Sequence, residues 1–209
     1  MSISSLVYGL VHGARARLGI NRQLNYRTLE VAFVLLLDQT AHHQARQRQL
    51  GVLRRHGVNP GLSAPPHITL KLGFKCRDPE ALAGYLDELA ARFDPVPVTL
   101  KDFDHFDEGI TFWQVAPAPA LERLRQAILT DLSTRFAVAP RPLEGSAFRF
   151  HVTLAYGLSS AAFQSERNTL STEHAEHTFT GRDVALLIRC DDQWIDYKTA
   201  TLGRVGSAT

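Results

Sequence analysis

The chain contains the pattern histidine, apolar residue, threonine, leucine twice, at residues 67–70 and 151–154. Side chains of a β-strand alternate between its two faces, so each copy places an imidazole beside a hydroxyl on one face and two apolar side chains on the other. The apolar face predicts contact with a core, and the polar face predicts a cleft. Two such strands brought together would line that cleft with four polar residues: His67, Thr69, His151 and Thr153.

Each copy of the pattern follows a predicted helix and a loop that contains proline. Capping residues and helical spacing predict the helices, and apolar or alternating runs predict the strands. The predicted helices run from Thr40 to about Arg55, from Pro79, from near Pro119 and from Ser159 or Ser160, and the other predicted strands cover 29–37, 96–103, 110–115, 184–189 and 195–201. Because this order of elements recurs around both patterns, we interpret the chain as two duplicated lobes of one domain.

The paired patterns resemble the signature of the 2H phosphoesterase superfamily, which includes 2′-5′ RNA ligase-like proteins and cyclic phosphodiesterases. The resemblance covers roughly residues 29–203. It implies an α+β fold with bilobal pseudo-two-fold symmetry, in which each lobe is a mainly antiparallel sheet with helices packed outside and a central cleft. We therefore expect an N-terminal extension, helix or arm, at 1–28, a single bilobal domain at 29–205 and a C-terminal tail at 206–209.

The resemblance also implies roles for the four polar residues. His67 and His151 would form the catalytic pair, and Thr69 and Thr153 would bind the phosphate. The family cleaves or forms phosphodiester bonds in 2′,3′-cyclic phosphates or at RNA ends, without a metal. We therefore expect no cofactor and no metal, and a nucleotide or an RNA end bearing a phosphodiester as the partner. Neither a membrane nor an obligate protein partner is expected.

The chemistry of such a reaction is consistent with two histidines. Opening a 2′,3′-cyclic phosphate requires deprotonation of the attacking water on one side of phosphorus and protonation of the leaving ribose oxygen on the other. Histidine, with an ordinary pKa of about 6.5, serves either role near neutral pH. Threonine hydroxyls donate hydrogen bonds to the non-bridging oxygens as their charge develops.

The leading hypothesis is therefore a metal-independent phosphodiesterase, and two alternatives remain open. A 2′-5′ RNA ligase would run the reverse reaction through the same residues. A non-catalytic module would use the cleft only to bind RNA or a nucleotide, although such a module has no need of histidines where lysine or arginine would serve. A metallohydrolase is disfavoured, because the histidines lack carboxylate companions at ligand spacing.

Further candidate residues lie close to the two patterns. If strand alternation persists, Lys71 lies on the same face as His67 and contacts the phosphate, or else it is a solvated lysine at the strand end. Arg149, two residues before His151, has the same two interpretations. Alternation places Tyr156 on the core side, unless the strand has ended.

Several other side chains have weaker claims to a function. Three aromatic residues are candidates for stacking on a base, although most aromatic residues lie in cores: Phe74, Phe148 and Trp194. Histidines outside the patterns are expected to be exposed, including His56 and the pair His174 and His177, whose spacing would suit a metal on a helix. A basic helix is expected to present a solvated face, with guidance of RNA as the alternative: Arg46, Arg48, Arg54 and Arg55.

Composition places the protein in an ordinary soluble class. The 209 residues carry a net charge of +2 and 44% hydrophobic residues, and two cysteines without metal spacing indicate reduced thiols in the cytoplasm. Residues 1–29 contain arginines and no acidic residue, so organelle targeting is the alternative to a cytoplasmic location. The mildly basic charge tolerates an anionic substrate without itself indicating nucleic acid.

Overall fold

The computed structural model of the protein describes residues 28–203. The expectations for the N-terminal extension up to residue 27, and for the C-terminal tail, lie outside the described residues. The strands are β1 (Leu29–Leu36), β2 (His67–Cys76), β3 (Val96–Phe106), β4 (Ile110–Val115), β5 (His151–Ala155), β6 (Glu176–Gly181), β7 (Asp183–Cys190) and β8 (Gln193–Thr201). The α-helices are α1 (Gln39–His56), α2 (Pro79–Arg92), α3 (Pro119–Phe136) and α4 (Ser160–Leu170).

The strands form one antiparallel sheet in the order β6-β3-β4-β5-β2-β1-β7-β8. This arrangement of sheet and helices confirms the predicted α+β fold. The two motif strands, β2 and β5, are the innermost strands, and they are paired at Ile68 and Val152. Each therefore belongs to its own four-stranded half of the sheet, and the two halves meet between the motifs.

The two halves are not consecutive in the sequence. The chain begins one half with β1 and β2, builds the whole of the other half from β3 to β6, and then returns to add β7 and β8 beside β1. The closing strands β7 and β8 therefore complete the half that carries the first motif. Both strands follow the second motif in the chain, so the halves of the sheet are not two consecutive stretches of sequence.

One face of the sheet packs against α2 and α3 to form the main core. The helical stripes predicted from leucine spacing are buried, including Leu82, Leu86 and Leu89 of α2 and Leu121, Leu124, Ile128 and Leu132 of α3. The apolar residues of both motifs are fully buried in the same cluster. Because side chains alternate, burial of these residues turns the motif histidines and threonines to the opposite face.

The helix ends follow capping rules, with one correction to the prediction. Helix α1 begins after Asp38, whose Oδ1 accepts a hydrogen bond from Ala41 N at 2.8 Å, so the predicted cap at Thr40 is wrong. Thr40 lies inside the first turn. Gly57 ends the helix in the left-handed conformation with φ of 73°, the usual place for glycine after a helix. None of the helices in residues 28–203 is long and apolar enough to cross a membrane.

Candidate active site

The pairing of β2 with β5 brings the two motifs together. Ile68 lies opposite Val152 in an antiparallel register. In that register, the residue before Ile68 is adjacent to the residue after Val152, and the residue after Ile68 is adjacent to the residue before Val152. His67 therefore lies beside Thr153, and Thr69 beside His151. The four polar residues predicted from sequence meet around a local two-fold axis, and each histidine neighbours the threonine of the other motif.

The two imidazoles are fixed by the same hydrogen bond. His67 Nδ1 lies 2.7 Å from the carbonyl oxygen of Pro65, and His151 Nδ1 lies 2.8 Å from that of Arg149. A carbonyl oxygen only accepts, so Nδ1 is the donor in both rings. The bond sets the tautomer and orientation of each ring, and it leaves Nε2 to exchange a proton.

Burial lowers the pKa of both histidines below the ordinary value of 6.5. For His67, the hydrogen bond to Pro65 opposes this effect, and the charge of His151 adds to it. For His151, the bond to Arg149 opposes the effect of burial, and the positive charge of Arg149 adds to it. Without a bound anion, both imidazoles therefore favour the neutral form.

A cavity of about 210 Å³ opens beside three of the four motif residues: His67, Thr69 and Thr153. It continues across the half of the sheet that carries the first motif, where Leu187 and Trp194 line it. His151 is not part of this lining and instead packs against aromatic rings, with centroid distances of 5.1 Å to Phe106 and 5.0 Å to Phe112. One cavity is thus lined both by motif residues and by apolar side chains that include Trp194.

Of the three aromatic residues considered for base stacking, one lies in this cavity. Trp194 lines it, whereas Phe74 packs against Phe33 with ring centroids 6.3 Å apart, and Phe148 lies beneath the guanidinium of Arg125 at 3.9 Å. Their positions leave Trp194 as the stacking candidate.

A β-bulge follows the first motif. Val34 of β1 is paired with Thr69, and the residue before Val34 is paired with Lys71, so Leu70 is an extra residue in β2. An extra residue interrupts the alternation of side chains along a strand. The prediction that Lys71 shares the polar face of the motif is therefore wrong. Lys71 is turned into the interior, and Leu72 lines the cavity instead.

An equivalent bulge follows the second motif. Phe112 of β4 is paired with Thr153, and the residue before Phe112 is paired with Ala155, so Leu154 is an extra residue in β5. The strand ends at Ala155, and Tyr156 lines the cavity with 38% of its surface exposed. Simple alternation would have placed Tyr156 in the core, and the bulge together with the strand end explains the difference.

Lys71 forms a buried ion pair that the sequence did not reveal. Its Nζ donates to Glu144 Oε2 at 2.6 Å, and both side chains are fully buried. Glu144 Oε1 also accepts from the backbone N–H of Leu72 at 2.7 Å. Lys71 is thus directed away from the cavity, contrary to its suggested role as a substrate contact. A glutamate in a proline- and glycine-containing loop gives no sequence signal of burial, so Glu144 was missed.

Arg149 lies on the face that carries His151. Its Nη2 donates to Asp104 Oδ2 at 2.6 Å and to Gln114 Oε1 at 3.0 Å, and Gln114 lies opposite His151 in β4. The guanidinium carbon is 5.2 Å from the ring centre of Phe112. About half of the Arg149 side chain, 46%, remains exposed. Its suggested contact with substrate stays a prediction.

The basic helix α1 directs three of its four arginines to partners within the protein. Arg46 donates to the carbonyl oxygen of Ala64, in the loop before the first motif, at 2.7 Å. Arg48 forms an ion pair with Glu173, and Arg55 forms one with Glu166 at 2.7 Å. These contacts fix the helix to the fold, so most of this group is not a freely solvated face.

In the described part of the chain, the histidines outside the motifs do not assemble a metal site. Among residues 28–203, no group of three or more histidine, cysteine, aspartate or glutamate side chains is arranged to hold a metal ion. His174 and His177 lie before and within β6 rather than on a helix. The expectation of exposure holds for His174 but is wrong for His177, which contacts Asp38, and for His56, which contacts Glu166.

Comparison with known proteins adds evidence of family and fold. The model of the 2′-5′ RNA ligase superfamily matches residues 38–193. A Bacillus pumilus protein named "Putative phosphoesterase" is 29% identical over 161 residues, which cover 73% of this chain and 88% of that protein. Residues 67–70 and 151–154 both lie within the family match.

Solved structures show the same fold at low sequence identity. Escherichia coli LigT complexed with ATP has a TM-score of 0.54 and 16% identity, covering 84% of this chain and 99% of LigT. A structure described as a phosphoesterase has a TM-score of 0.58 and 15% identity, with coverage of 84% and 99%. The protein TT0787 of Thermus thermophilus has a TM-score of 0.54 and 19% identity, with coverage of 84% and 98%. The family match spans most of the sequence, and the chain therefore belongs to the 2′-5′ RNA ligase superfamily, among the 2H phosphoesterases that its two motifs resemble.

Proposed function

We propose that this protein is a metal-independent phosphodiesterase that hydrolyses a 2′,3′-cyclic phosphate or an RNA-terminal phosphodiester. The observation that carries the proposal is the matched pair of imidazoles. His67 and His151 each donate Nδ1–H to a backbone carbonyl two residues earlier, and each presents Nε2 as the proton-exchanging atom. An in-line reaction at phosphorus needs one base and one acid on opposite sides, which such a pair supplies.

The reaction then uses four groups of the chain. One imidazole Nε2 removes a proton from water as the water oxygen attacks phosphorus. The other, protonated at Nε2, delivers its proton to the ribose oxygen as the bond from phosphorus to that oxygen breaks. The hydroxyls of Thr69 and Thr153 donate to the non-bridging oxygens, whose negative charge increases in the transition state. The product is a nucleoside or RNA end with a phosphomonoester, and the second proton transfer leaves the pair singly protonated.

The cavity favours a nucleotide as the substrate. The motif threonines and Trp194 both line it, and most of the other lining residues are apolar or aromatic. A base stacked on Trp194 would use the sequence-tolerant attraction between aromatic rings and bases. Related proteins bind nucleotides: LigT has been crystallised with ATP, with 3′-AMP and with NADP⁺. These complexes support a nucleotide substrate without defining the base.

A 2′-5′ RNA ligase activity is the second candidate, because the matching family carries that name. Ligation reverses the same chemistry, so the acid in one direction is the base in the other. The two candidates therefore share residues and differ in substrate. Measuring both directions with the same preparation distinguishes them.

The test is an assay of the purified protein with the four nucleoside 2′,3′-cyclic phosphates, in the presence and absence of EDTA. We expect turnover of at least one substrate, unchanged by the chelator. The matched control is His174→Asn, since the side chain of His174 is 87% exposed and lies outside the motifs. His67→Asn should abolish turnover while His174→Asn retains it. Loss of activity in EDTA, restored by one metal, would contradict the metal-independent mechanism.

A further inference from the structure

Asn59 connects the loop before the first motif to the strand of the second. The residue is 5% exposed, and its Nδ2 donates to the carbonyl oxygen of Leu154 at 2.9 Å. Leu154 is the bulge residue directly after Thr153. The second N–H of the amide donates to the carbonyl oxygen of Gln49 at 3.0 Å, and Oδ1 accepts from Gly61 N at 3.0 Å. The amide of Asn59 thus fixes both the loop and the bulge.

Gly61 allows this close approach. A Cβ atom at this position would lie 2.9 Å from Asn59 Oδ1 and 3.4 Å from the carbonyl oxygen of Leu154. The first distance is shorter than real Cβ contacts, so a larger residue would displace the Asn59 amide that donates to Leu154. Gln49 reinforces the same place, because its Nε2 donates to the carbonyl oxygen of Thr153 at 2.9 Å.

Glu144 makes the corresponding connection in the opposite direction, to the strand of the first motif. It lies in the loop before the second motif, and its carboxylate binds Lys71 Nζ and the backbone N–H of Leu72, directly after the bulge of the first motif. It also accepts from the backbone N–H of Arg141 at 2.7 Å, and its own carbonyl oxygen accepts from Arg125 Nη2 at 2.6 Å. The loop that leads to His151 is thereby attached to the strand of His67.

The structure assigns to Asn59 and Glu144 the role of reciprocal positioning residues, each in the loop before one motif and each fixing the bulge behind the other. This inference rests on the proposed function, because the groups positioned are the threonine hydroxyls of that mechanism. Strands β2 and β5 are paired at one position in the described part of the chain, Ile68 with Val152. The separation of the two threonines therefore depends on the side-chain bridges as well as on the sheet.

The inference predicts a crossed pattern of energetic coupling. Asn59 precedes the first motif, yet its substitution should act through Thr153 of the second. Glu144 precedes the second motif, yet its substitution should act through Thr69 of the first. A residue that merely stabilises the fold would instead combine additively with both threonines, since independent sites contribute additively.

The variant for the first arm is Asn59→Ser. Serine retains an oxygen that caps the turn at Gly61 N, but it is too short to reach Leu154. We expect kcat/KM to fall about 10-fold, within the range for coupled contacts. In the double variant with Thr153→Val, most of this loss should disappear, whereas in the double variant with Thr69→Val it should persist. The matched control is Asp78→Ala, which removes a helix cap at Ala81 N outside the site and should leave kcat/KM unchanged.

The second experiment uses two double variants, each of which removes both charges of the Lys71–Glu144 ion pair. Lys71→Met with Glu144→Gln retains an oxygen that accepts from Leu72 N, and Lys71→Met with Glu144→Leu removes that oxygen at similar size. The leucine version should have kcat/KM about 10-fold below the glutamine version. That difference should disappear in the Thr69→Val background and persist in the Thr153→Val background. This second experiment tests the inference even if the Asn59→Ser variant does not fold.

The outcomes separate the inference from the proposed function. Crossed coupling in the two arms supports the inference. Equal, additive effects with both threonines would overturn it while leaving the hydrolytic mechanism intact, provided that the threonine variants themselves are impaired. Threonine variants with normal kcat/KM, or no turnover of any cyclic phosphate by the unmodified protein, would overturn the proposed function and the inference with it.

Discussion

Leu72 and Tyr156 occupy equivalent positions, each three residues after the threonine of its motif, and both line the cavity. The equivalence arises because each motif is followed by a one-residue bulge, at Leu70 in β2 and at Leu154 in β5. Bulges re-aim side chains next to functional sites. Here they direct an aliphatic side chain to one part of the cavity and a phenol to another, so a symmetric backbone creates an asymmetric cavity.

The first prediction concerns this asymmetric cavity. Trp194→Ala should raise KM for a nucleoside cyclic phosphate about 5- to 100-fold, because base stacking on an aromatic ring contributes about 1–3 kcal/mol. kcat should change much less, since the proposed contact of Trp194 is with the base and not with phosphorus. Tyr156→Phe should retain most of the affinity and Tyr156→Ala should not. Steady-state kinetics of the three variants test this, and a fall in kcat with unchanged KM would place the base elsewhere.

The second prediction concerns the two imidazoles. Asparagine places an amide N–H close to the position of Nδ1, so His67→Asn and His151→Asn keep a donor for the backbone carbonyl and lose Nε2. Each should lower kcat by about 10²-fold or more. The double variant should be little worse than either single variant, because base and acid act as one unit.

The thermal midpoint of unfolding supplies the control for the histidine variants. Unchanged midpoints would show that the losses arise from chemistry rather than folding. A single variant with near-normal kcat on the best substrate would exclude the two-histidine mechanism.

The third prediction concerns the motif hydroxyls. Valine keeps the branched shape that strands favour and lacks the hydroxyl donor. Thr69→Val and Thr153→Val should each lower kcat/KM by about 10- to 10³-fold, judging from the loss of single donors at oxyanion sites. Thr178→Val is a matched control, because Thr178 lies on β6 and its hydroxyl contacts Thr99 at 3.0 Å. If kcat/KM of the two motif variants is as little affected as that of Thr178→Val, the motif hydroxyls have a structural role and do not act on the phosphate.

The shared face of the histidine and threonine in each motif was predictable from the sequence, for a physical reason, whereas the meeting of the two motifs depends on the pairing of β2 with β5. Strand alternation is local, so residues 67–70 and 151–154 by themselves determine which side chains share a face. The helix after Asp78 was equally local, since an N-cap, a proline in the first turn and leucine spacing all agree. These features depend on neighbours along the chain.

The features that sequence analysis missed depend on contacts between distant segments. Lys71 departs from alternation because β2 carries a bulge where it pairs with β1, and its partner Glu144 lies 73 residues away. Strand β6 was missed because it lies at the edge of the sheet and its sequence is mostly polar, with Phe179 and Gly181 as its buried residues. Its role becomes evident only once β3 is placed beside it.

The fourth prediction concerns the stability of the buried ion pair. Glu144→Gln leaves the charge of Lys71 buried without a partner, which should lower the free energy of unfolding by about 3–5 kcal/mol. Adding Lys71→Met should recover most of that loss, because the unpaired charge of Lys71 is then removed and the glutamine still accepts from Leu72 N. Chemical denaturation of the two variants tests this. If the single variant is as stable as the unmodified protein, Lys71 is solvated rather than paired.

The last prediction concerns pH. Burial lowers the pKa of both His67 and His151 below 6.5, and the active free enzyme carries one proton on the pair. That form predominates between the two lowered pKa values, so the bell-shaped profile of kcat/KM should be centred below pH 6.5, since this ratio reports the free enzyme. A bound phosphate anion raises the pKa of a neighbouring imidazole, so the profile of kcat should be centred at higher pH.

Arg149→Gln removes a positive charge that lowers the pKa of His151, and one limb of the kcat/KM profile should therefore move to higher pH. The test is to measure the pH profiles of the unmodified protein and of Arg149→Gln in one buffer series. A kcat/KM profile centred above pH 6.5, or one that Arg149→Gln leaves in place, would show that the groups titrating in the profile are not these two histidines.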